Sequence, residues 1–479
     1  MSKLYVFGIG GTGSRVLKSL TMLLAAGVDC KADTVVPIII DLDTPGGDVT
    51  NNELLIKNYG KVREKITKSF DTKKEQWQNR FFETKIETDN LHLPLTDKGI
   101  SFRKYVEEPS METSNKALAN VLFSNDNLEM LMKEGFYGNP NIGSVVLNQF
   151  EQTKEFQKLC TDIKRDDKIF IISSIFGGTG ASGFPLLLKT LRANQNQFVS
   201  DAHIGAIAVL PYFNVEPDPN SRVDSATFIS KAKAALAYYD RCISKDNGID
   251  ALYYIADSQM TTYENHPGGA EQKNKAHFVE LAAALSIIDF AASNKEKETI
   301  YKEFGIKNKS NKISFDDLGD YTKRLLQKPL IQFLLFAKYL QAKEVDNFKK
   351  KPWFQELPQT IEKKPFDETV FKNSDFVKTL IQVQKDFIKW LEELENSNHT
   401  RKFSPFELKI NDNLMELISG FNFNRGRFGD KFEYSDIDNE LNEISKQRKN
   451  LPEISAEPQL VELFYRATNI LVAKKFRIQ

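Results

Sequence analysis

Two short glycine-rich bends constrain this chain more than anything else in it. Gly8-Ile9-Gly10-Gly11-Thr12-Gly13-Ser14 follows an apolar, strand-like run at 4–7 and precedes a helical stripe of Val16, Leu17, Leu20, Leu23 and Leu24 that stops at Gly27. Gly177-Gly178-Thr179-Gly180-Ala181-Ser182-Gly183 stands in the same position after a second apolar run at 169–173. Glycine lets a backbone close on an anion, and the first N–H groups of a helix favour phosphate. The first bend alone is a GxGxxG match to a dinucleotide-binding turn, with Asp41 or Asp43 standing where a ribose-binding acid would be. It is no P-loop, because no Gly-Lys-Ser/Thr follows. Two such bends in one sheet can grip one polyphosphate from two sides, with the Thr179 and Ser182 hydroxyls as further donors.

Further short runs at 35–40, 204–210 and 252–255 alternate with helical patterns. Strands separated by helices imply βαβ units, so the expected fold is α/β: a mostly parallel Rossmann-like sheet flanked by helices. Residues 51–130 are charged and read as a helical insertion. The stretch 277–290 carries Phe278, Leu281, Ala282, Leu285 and Ile288 at helical spacing and reads as a largely buried helix. From about 321 the chain becomes helical and charged. Phe376, Val377, Leu380, Ile381, Phe387, Ile388, Leu391 and Leu394 form one amphipathic helix, and Leu460, Val461, Phe464, Leu471 and Val472 another. Segment 349–365 reads as a linker or exposed loop. The expected division is 1–290, with a central helix at 271–290, and a mainly helical 291–479.

Composition narrows the function classes. Lys+Arg and Asp+Glu are both 65, so the formal net charge of +0 gives no general pull toward nucleic acid or an anionic membrane. Cys30, Cys160 and Cys242 form neither a CxxC pair nor a disulfide framework, which suggests a reducing, cytoplasmic compartment. The five histidines lack metal-ligand spacing. The first residues enter a strand directly rather than a signal-peptide layout, and no run of about 18 apolar residues suggests a membrane span.

At this point the chain resembles the tubulin/FtsZ superfamily, whose signature loop reads GGGTG(S/T)G. Here Phe176-Gly177-Gly178-Thr179-Gly180-Ala181-Ser182-Gly183 is close to it, with Phe176 for the first glycine and Ala181 inserted before Ser182. Other segments follow in the family's order: residues 8–14 as first phosphate loop, Asp41 and Asp43 in the acidic second loop, and Gly138-Asn139-Pro140-Asn141-Ile142-Gly143 as the third. Leu210-Pro211-Tyr212-Phe213-Asn214-Val215-Glu216 is similar to the fifth loop, and 249–257 to the strand before the sixth. The resemblance covers about residues 3–290. The helical region beyond it is closer to divergent prokaryotic tubulin-like proteins than to tubulin or FtsZ, which have a compact mixed-sheet domain there.

The resemblance implies GTP or GDP as ligand. Gly10, Gly11, Thr12, Gly13 and Ser14 would meet phosphates at the first loop, and Gly177, Gly178, Thr179, Gly180 and Ser182 would cradle the β- and γ-phosphates. Asn139 and Gly143 would border the terminal phosphate, Asp41 and Asp43 could hold Mg²⁺ through water, and Glu216 would reach the ribose. Asn274, Phe278 and Glu280 are the candidates for the base, with His277 equally a core or cap histidine. The family's guanine-reading pair is replaced by Ala282 and Ala283. The family completes its active site between subunits with an NxDxxD/E loop; the nearest pattern here places Asp316 and Asp320 in that role, with helix capping as the competing reading. Self-association follows from the resemblance, and the C-terminal helices are candidate partner-binding faces. Two alternatives stand beside this reading: a non-catalytic, nucleotide-dependent scaffold, and an NAD(P)-dependent oxidoreductase built on the first bend alone.

Overall fold

The structure is a computed structural model of the 479-residue chain. It describes residues 2–42, 47–67, 78–89, 91–93, 99–132, 135–136, 138–217, 225–243, 248–258, 260–264, 274–304, 306, 310–342, 348, 350–357, 360–361, 364–365, 368–396, 398, 400–409, 413–424, 429–446 and 455–478. Strands of the main sheet and of the β6–β8 pair are β1 (Lys3–Ile9), β2 (Thr34–Ile40), β3 (Lys85–Ile86), β4 (Lys168–Ser174), β5 (His203–Val209), β6 (Phe213–Val215), β7 (Ala251–Ile255), β8 (Thr261–Tyr263) and β9 (Ile300–Phe304). The longer helices are α1 (Gly10–Ala25), α2 (Gly47–Thr67), α3 (Thr113–Leu122), α4 (Pro140–Leu147), α5 (Lys154–Asp162), α6 (Gly178–Arg192), α7 (Phe228–Cys242), α8 (Phe278–Ala292), α9 (Asp320–Gln341), α10 (Asp375–Leu394), α11 (Tyr434–Lys446) and α12 (Ala456–Phe476).

Seven strands form one sheet in the order β3-β2-β1-β4-β5-β7-β9, and every neighbouring pair is parallel. The central strands, KLYVFGI, TVVPIII and KIFIISS, are near-continuous apolar runs because helices cover both faces. From β1 the chain winds outward to β2 and β3. It returns to β4 on the other side of β1 and winds the opposite way through β5, β7 and β9. The reversal lies between β1 and β4, where Ile9 pairs with Ser173. In such sheets the crevice outside the carboxyl ends of the strands at the reversal is where ligands bind.

The central helix α8 is apolar on all sides, FVELAAALSIIDFAA, and packs between α1 and strands β4, β5 and β7. His277 caps it: its Nδ1 accepts from Val279 N–H at 3.0 Å, while Glu280 Oε2 accepts from His277 N–H at 3.0 Å. After α8 the chain returns as β9, so the sheet takes its last strand from beyond residue 290. The expected insertion at 51–130 contains most of α2, which starts at Gly47, and α3, but also the edge strand β3. Residues 271–273 of the expected central helix lie outside the described residues.

The C-terminal helices form a layer over α1 and α2. Helix α10 lies on α2, and its Trp390 Nε1 donates to Ser19 Oγ on α1 at 3.2 Å. Helix α12 packs on α9, α11 and α2, with Phe336 stacked on Phe464 at 4.4 Å between centroids. These apolar faces are core, not free partner surfaces. Segment 349–365 is not simply an exposed linker: Pro352–Gln355 is a helical turn whose Trp353 is fully buried and donates to Asp438. Aromatic burial holds that turn against α11. Cys30 and Cys160 are buried free thiols, and burial pushes both up to about 11. Among the described residues no helix is long and apolar enough to cross a membrane.

Candidate functional site at the sheet reversal

Three chain segments meet at the carboxyl ends of β1 and β4. Gly10 starts α1 with φ of +71°, a left-handed conformation glycine reaches without a Cβ clash. A Cβ there would stand 3.5 Å from Thr179 Cβ and 3.8 Å from Gly180 N, so the first and second bends face each other. The third segment closes on the second. A Cβ at Gly178 would lie 2.9 Å from Phe136 Cβ and 3.1 Å from the backbone nitrogens of both Gly138 and Asn139.

The three bends start α1, α6 and α4, and these helix beginnings share a trait, one also found at α3 and α7. None has a side-chain cap on its first turn, and none carries an acidic residue there. The first N–H groups of a helix need acceptors, and the macrodipole gives them a positive end. Three such ends meeting at the sheet reversal suit an anion with several oxygens.

Individual residues divide between that crevice and its supports. Gly10, Gly11, Thr12, Gly13, Gly177, Gly178, Thr179 and Gly180 form the two facing bends, and Asn139 stands at the N-cap of α4. Ser14 and Ser182 turn away from it. Ser14 is fully buried and meets Asn52 of α2, whose Nδ2 donates to Ser14 O at 3.0 Å. The Ser182 hydroxyl donates to Gly178 O at 2.7 Å and abuts Gly143, so both residues serve the α4–α6 contact. Asp41 is buried at the end of β2, one strand from Gly10. Asp43 lies outside the described residues. Glu216 is exposed after β6, its N–H donating to Tyr263 O at 2.8 Å.

The departure at Phe176 has a packing reason. Its ring is buried beneath the second bend among Phe228, Phe213 and Tyr212, at 5.0, 5.6 and 6.2 Å between centroids. It anchors the bend to the fifth-loop segment.

Beside the first bend stands a buried ion cluster that the sequence pattern did not reveal. Arg15 Nε donates to Glu280 Oε1 at 2.5 Å, Nη1 to Asp48 at 3.2 Å, and Nη2 to Tyr212 and Thr12 at 3.1 and 3.3 Å. Tyr212 also donates to Glu280 Oε1 at 2.7 Å. Burial works against the charge on Arg15, yet Tyr212, Glu280 and Asp48 raise its pKa well above the ordinary value. Burial raises the Asp48 pKa, which Arg15 partly offsets. The signal in sequence was Arg15 within the first turns of α1, a helix whose one other charged residue is Lys18.

Glu280 therefore has its carboxylate committed to Arg15, Tyr212 and the α8 cap, rather than turned to a ligand. Asn274 and Glu280 line one cavity of about 330 Å³ with Arg15, Lys18, Asp48 and α10. Phe278 does not join them. Its ring packs 5.7 Å from Phe403 and lines a separate cavity with Asp257 and Arg401. Asp316 and Asp320 are exposed at the approach to α9, where Asp316 pairs with Lys323. The cap acceptor is instead Asp317, whose Oδ2 accepts from Ser314 N–H and Oγ. Among the described residues no cluster of three metal-ligating side chains exists.

The chain matches no protein-family model and no curated protein. Among solved structures it is similar to CetZ from Methanosaeta thermophila strain DSM 6194, at 17% identity over 60% of this chain and 51% of that one, with a TM-score of 0.29. It is also similar to the GDP-bound monomer of CetZ1 from Haloferax volcanii, at 13% identity over 61% and 62% of the two chains, TM-score 0.30. The GTPgS-bound protofilament of CetZ2 from Haloferax volcanii gives 14% identity over 61% and 60%, TM-score 0.29. The chain thus spans less than two thirds of each of these proteins. At that overlap they bear on neither the ligand nor the assembly of this chain. Its own sheet order defines the class: a doubly wound parallel α/β fold with three glycine-bearing loops at the reversal.

Proposed function

We propose that this protein is a divergent member of the tubulin/FtsZ superfamily that binds a guanine nucleotide, with the polyphosphate held across the three loops. One observation carries the reading: Gly10 meets Thr179 while Gly178 meets Gly138 and Asn139, at three uncapped helix starts. A single-turn dinucleotide site would leave the second and third loops without a role. Guanine rather than another base comes from the sequence resemblance. Asp41 fits a Mg²⁺ ion held through water, since that ion commonly takes one or two protein carboxylates together with phosphate oxygens.

The test uses binding of a fluorescent GTP analogue to the wild type and to Gly11→Asp. A Cβ at Gly11 meets only Arg15 Nη1, at 3.4 Å, so an aspartate fits sterically and favours the helix start. It would place negative charge where the phosphates lie. Binding should fall at least about tenfold, with thermal stability kept. A wild type that binds no nucleoside triphosphate, or a variant that binds as well, would defeat the proposal.

In the same reading, subunits associate and the nucleotide of one is hydrolysed against Asp316 and Asp320 of the next. The exposure of both residues supports this part. Light scattering with GTP and with GDP tests it; equal signals and no phosphate release would leave a nucleotide-dependent scaffold.

A further inference from the structure

The base-reading groups of such a site have to come from somewhere, and the start of α8 does not offer them. Ala282 and Ala283 stand where the resemblance would put a polar pair, and the Glu280 carboxylate is occupied by Arg15, Tyr212 and the helix cap. The cavity that adjoins the first loop nevertheless has a polar wall. Arg15 is shared between the two: its Nη1 lies 3.4 Å from where a Gly11 Cβ would be, and it lines the cavity of about 330 Å³. Along α1 the distance from Gly11 to Lys18, another lining residue, is about 10 Å. That suits a nucleotide with phosphates at the loops and its base over the helix.

The wall facing α1 and α2 is the C-terminal helix α10, which contributes Gln382, Asp386, Lys389 and Glu393. Glu393 is already engaged, accepting from Lys18 Nζ at 2.8 Å and from Ala276 N–H at 3.2 Å. These bonds tie α10 to both α1 and the approach to α8. Asp386 is half-buried, and Gln382 Nε2 donates to its Oδ1 at 3.0 Å, which orients the carboxylate. Burial raises the Asp386 pKa, with Gln382, Lys18 and Lys389 working the other way and Glu393 adding to the rise.

We propose that α10 reads the base, with Asp386 accepting from the paired N1–H and N2–H donors of guanine and Gln382 acting as the positioning residue. This rests on the nucleotide reading above and deepens it. The chemistry discriminates. Guanine presents two adjacent donors to a carboxylate, whereas adenine presents one donor beside an acceptor and would be repelled at the second position. A helix from outside the region of family resemblance thus closes the nucleotide site, and base occupancy is coupled to the C-terminal layer.

The experiment measures equilibrium binding of GTP, ATP and xanthosine triphosphate, with inorganic tripolyphosphate as competitor, to the wild type, Asp386→Asn and Gln382→Ala. Asparagine keeps one acceptor and gains a donor that suits the second carbonyl of xanthine. Asp386→Asn should weaken GTP about tenfold to a hundredfold and improve xanthosine triphosphate, while tripolyphosphate competes equally with both proteins. Gln382→Ala, at an exposed position, should weaken GTP less and leave its stability unchanged. Unaltered GTP-to-ATP ratios in both variants, or a wild type without base preference, would overturn the role of α10 and leave the phosphate loops standing. A wild type that binds neither nucleotide nor tripolyphosphate would overturn both readings together.

Discussion

Removing Arg15 gives the sharpest test of how the glycine-loop helix is held. Arg15 gives hydrogen bonds to four side chains from three other parts of the fold and its own helix: Glu280, Asp48, Tyr212 and Thr12. In Arg15→Met, Glu280 stays buried with one tyrosine donor and one backbone N–H, and no cation. Breaking a buried pair by removing one partner costs about 3–5 kcal/mol, because the remaining charge is uncompensated. Glu280→Gln keeps the cap acceptor for His277 N–H but removes the charge. The double variant Arg15→Met/Glu280→Gln leaves neither charge of that pair, and Asp48, partly open to solvent, can hydrate. The double variant should therefore cost less than the sum of the singles, with a coupling of about 1–3 kcal/mol. Urea unfolding followed by fluorescence and circular dichroism, with coincident transitions, would measure it. Losses that simply add would refute the account of the cluster as one electrostatic unit.

Two further outcomes follow from other parts of the fold. Gly180→Ala would drive a Cβ into the Ser174 backbone and should cost about 1–3 kcal/mol, whereas Gly319→Ala meets nothing within 4 Å and should stay within about 0.5 kcal/mol; thermal melts compare them. His203, packed 4.5 Å from Phe290, has its pKa pushed down to about 4 by burial, with Lys168, Lys295 and Arg192 adding to the shift and Asp250 opposing it. Between about pH 6.5 and pH 4 the unfolded chain binds a proton that the native imidazole does not, so this contribution to stability is full above 6.5 and is lost as pH falls to 4. After solvent screening it amounts to about 1–2 kcal/mol. The difference between wild type and His203→Gln in urea midpoint should narrow across that window; a difference independent of pH would contradict the assignment.

Several features were legible in the chain without any fold. The two facing bends could be read because their requirement is local: a strand must end, a helix must begin, and glycine must supply the turn between. The strands β1, β2 and β4 showed as continuous apolar runs, since burial on both faces leaves no alternation to obscure. Helix α10 was visible from Phe376 to Leu394 by its stripe alone.

What each helix leans on was not legible, because that depends on which distant surfaces come together. Arg15 and Glu280 are 265 residues apart, and nothing near either one indicates that they meet. Ser14 and Ser182 belong to motifs that suggest phosphate contacts, yet burial directs their hydroxyls into helix packing. Phe278 lies within two residues of Glu280 but faces another cavity, because neighbouring positions on a helix point about 100° apart. The return of β9 to the sheet and the placement of α10 over α1 are likewise matters of long-range packing. Local backbone chemistry thus determined where the glycine bends and their helix starts lie, and tertiary packing alone decided which side chains surround the space beside them.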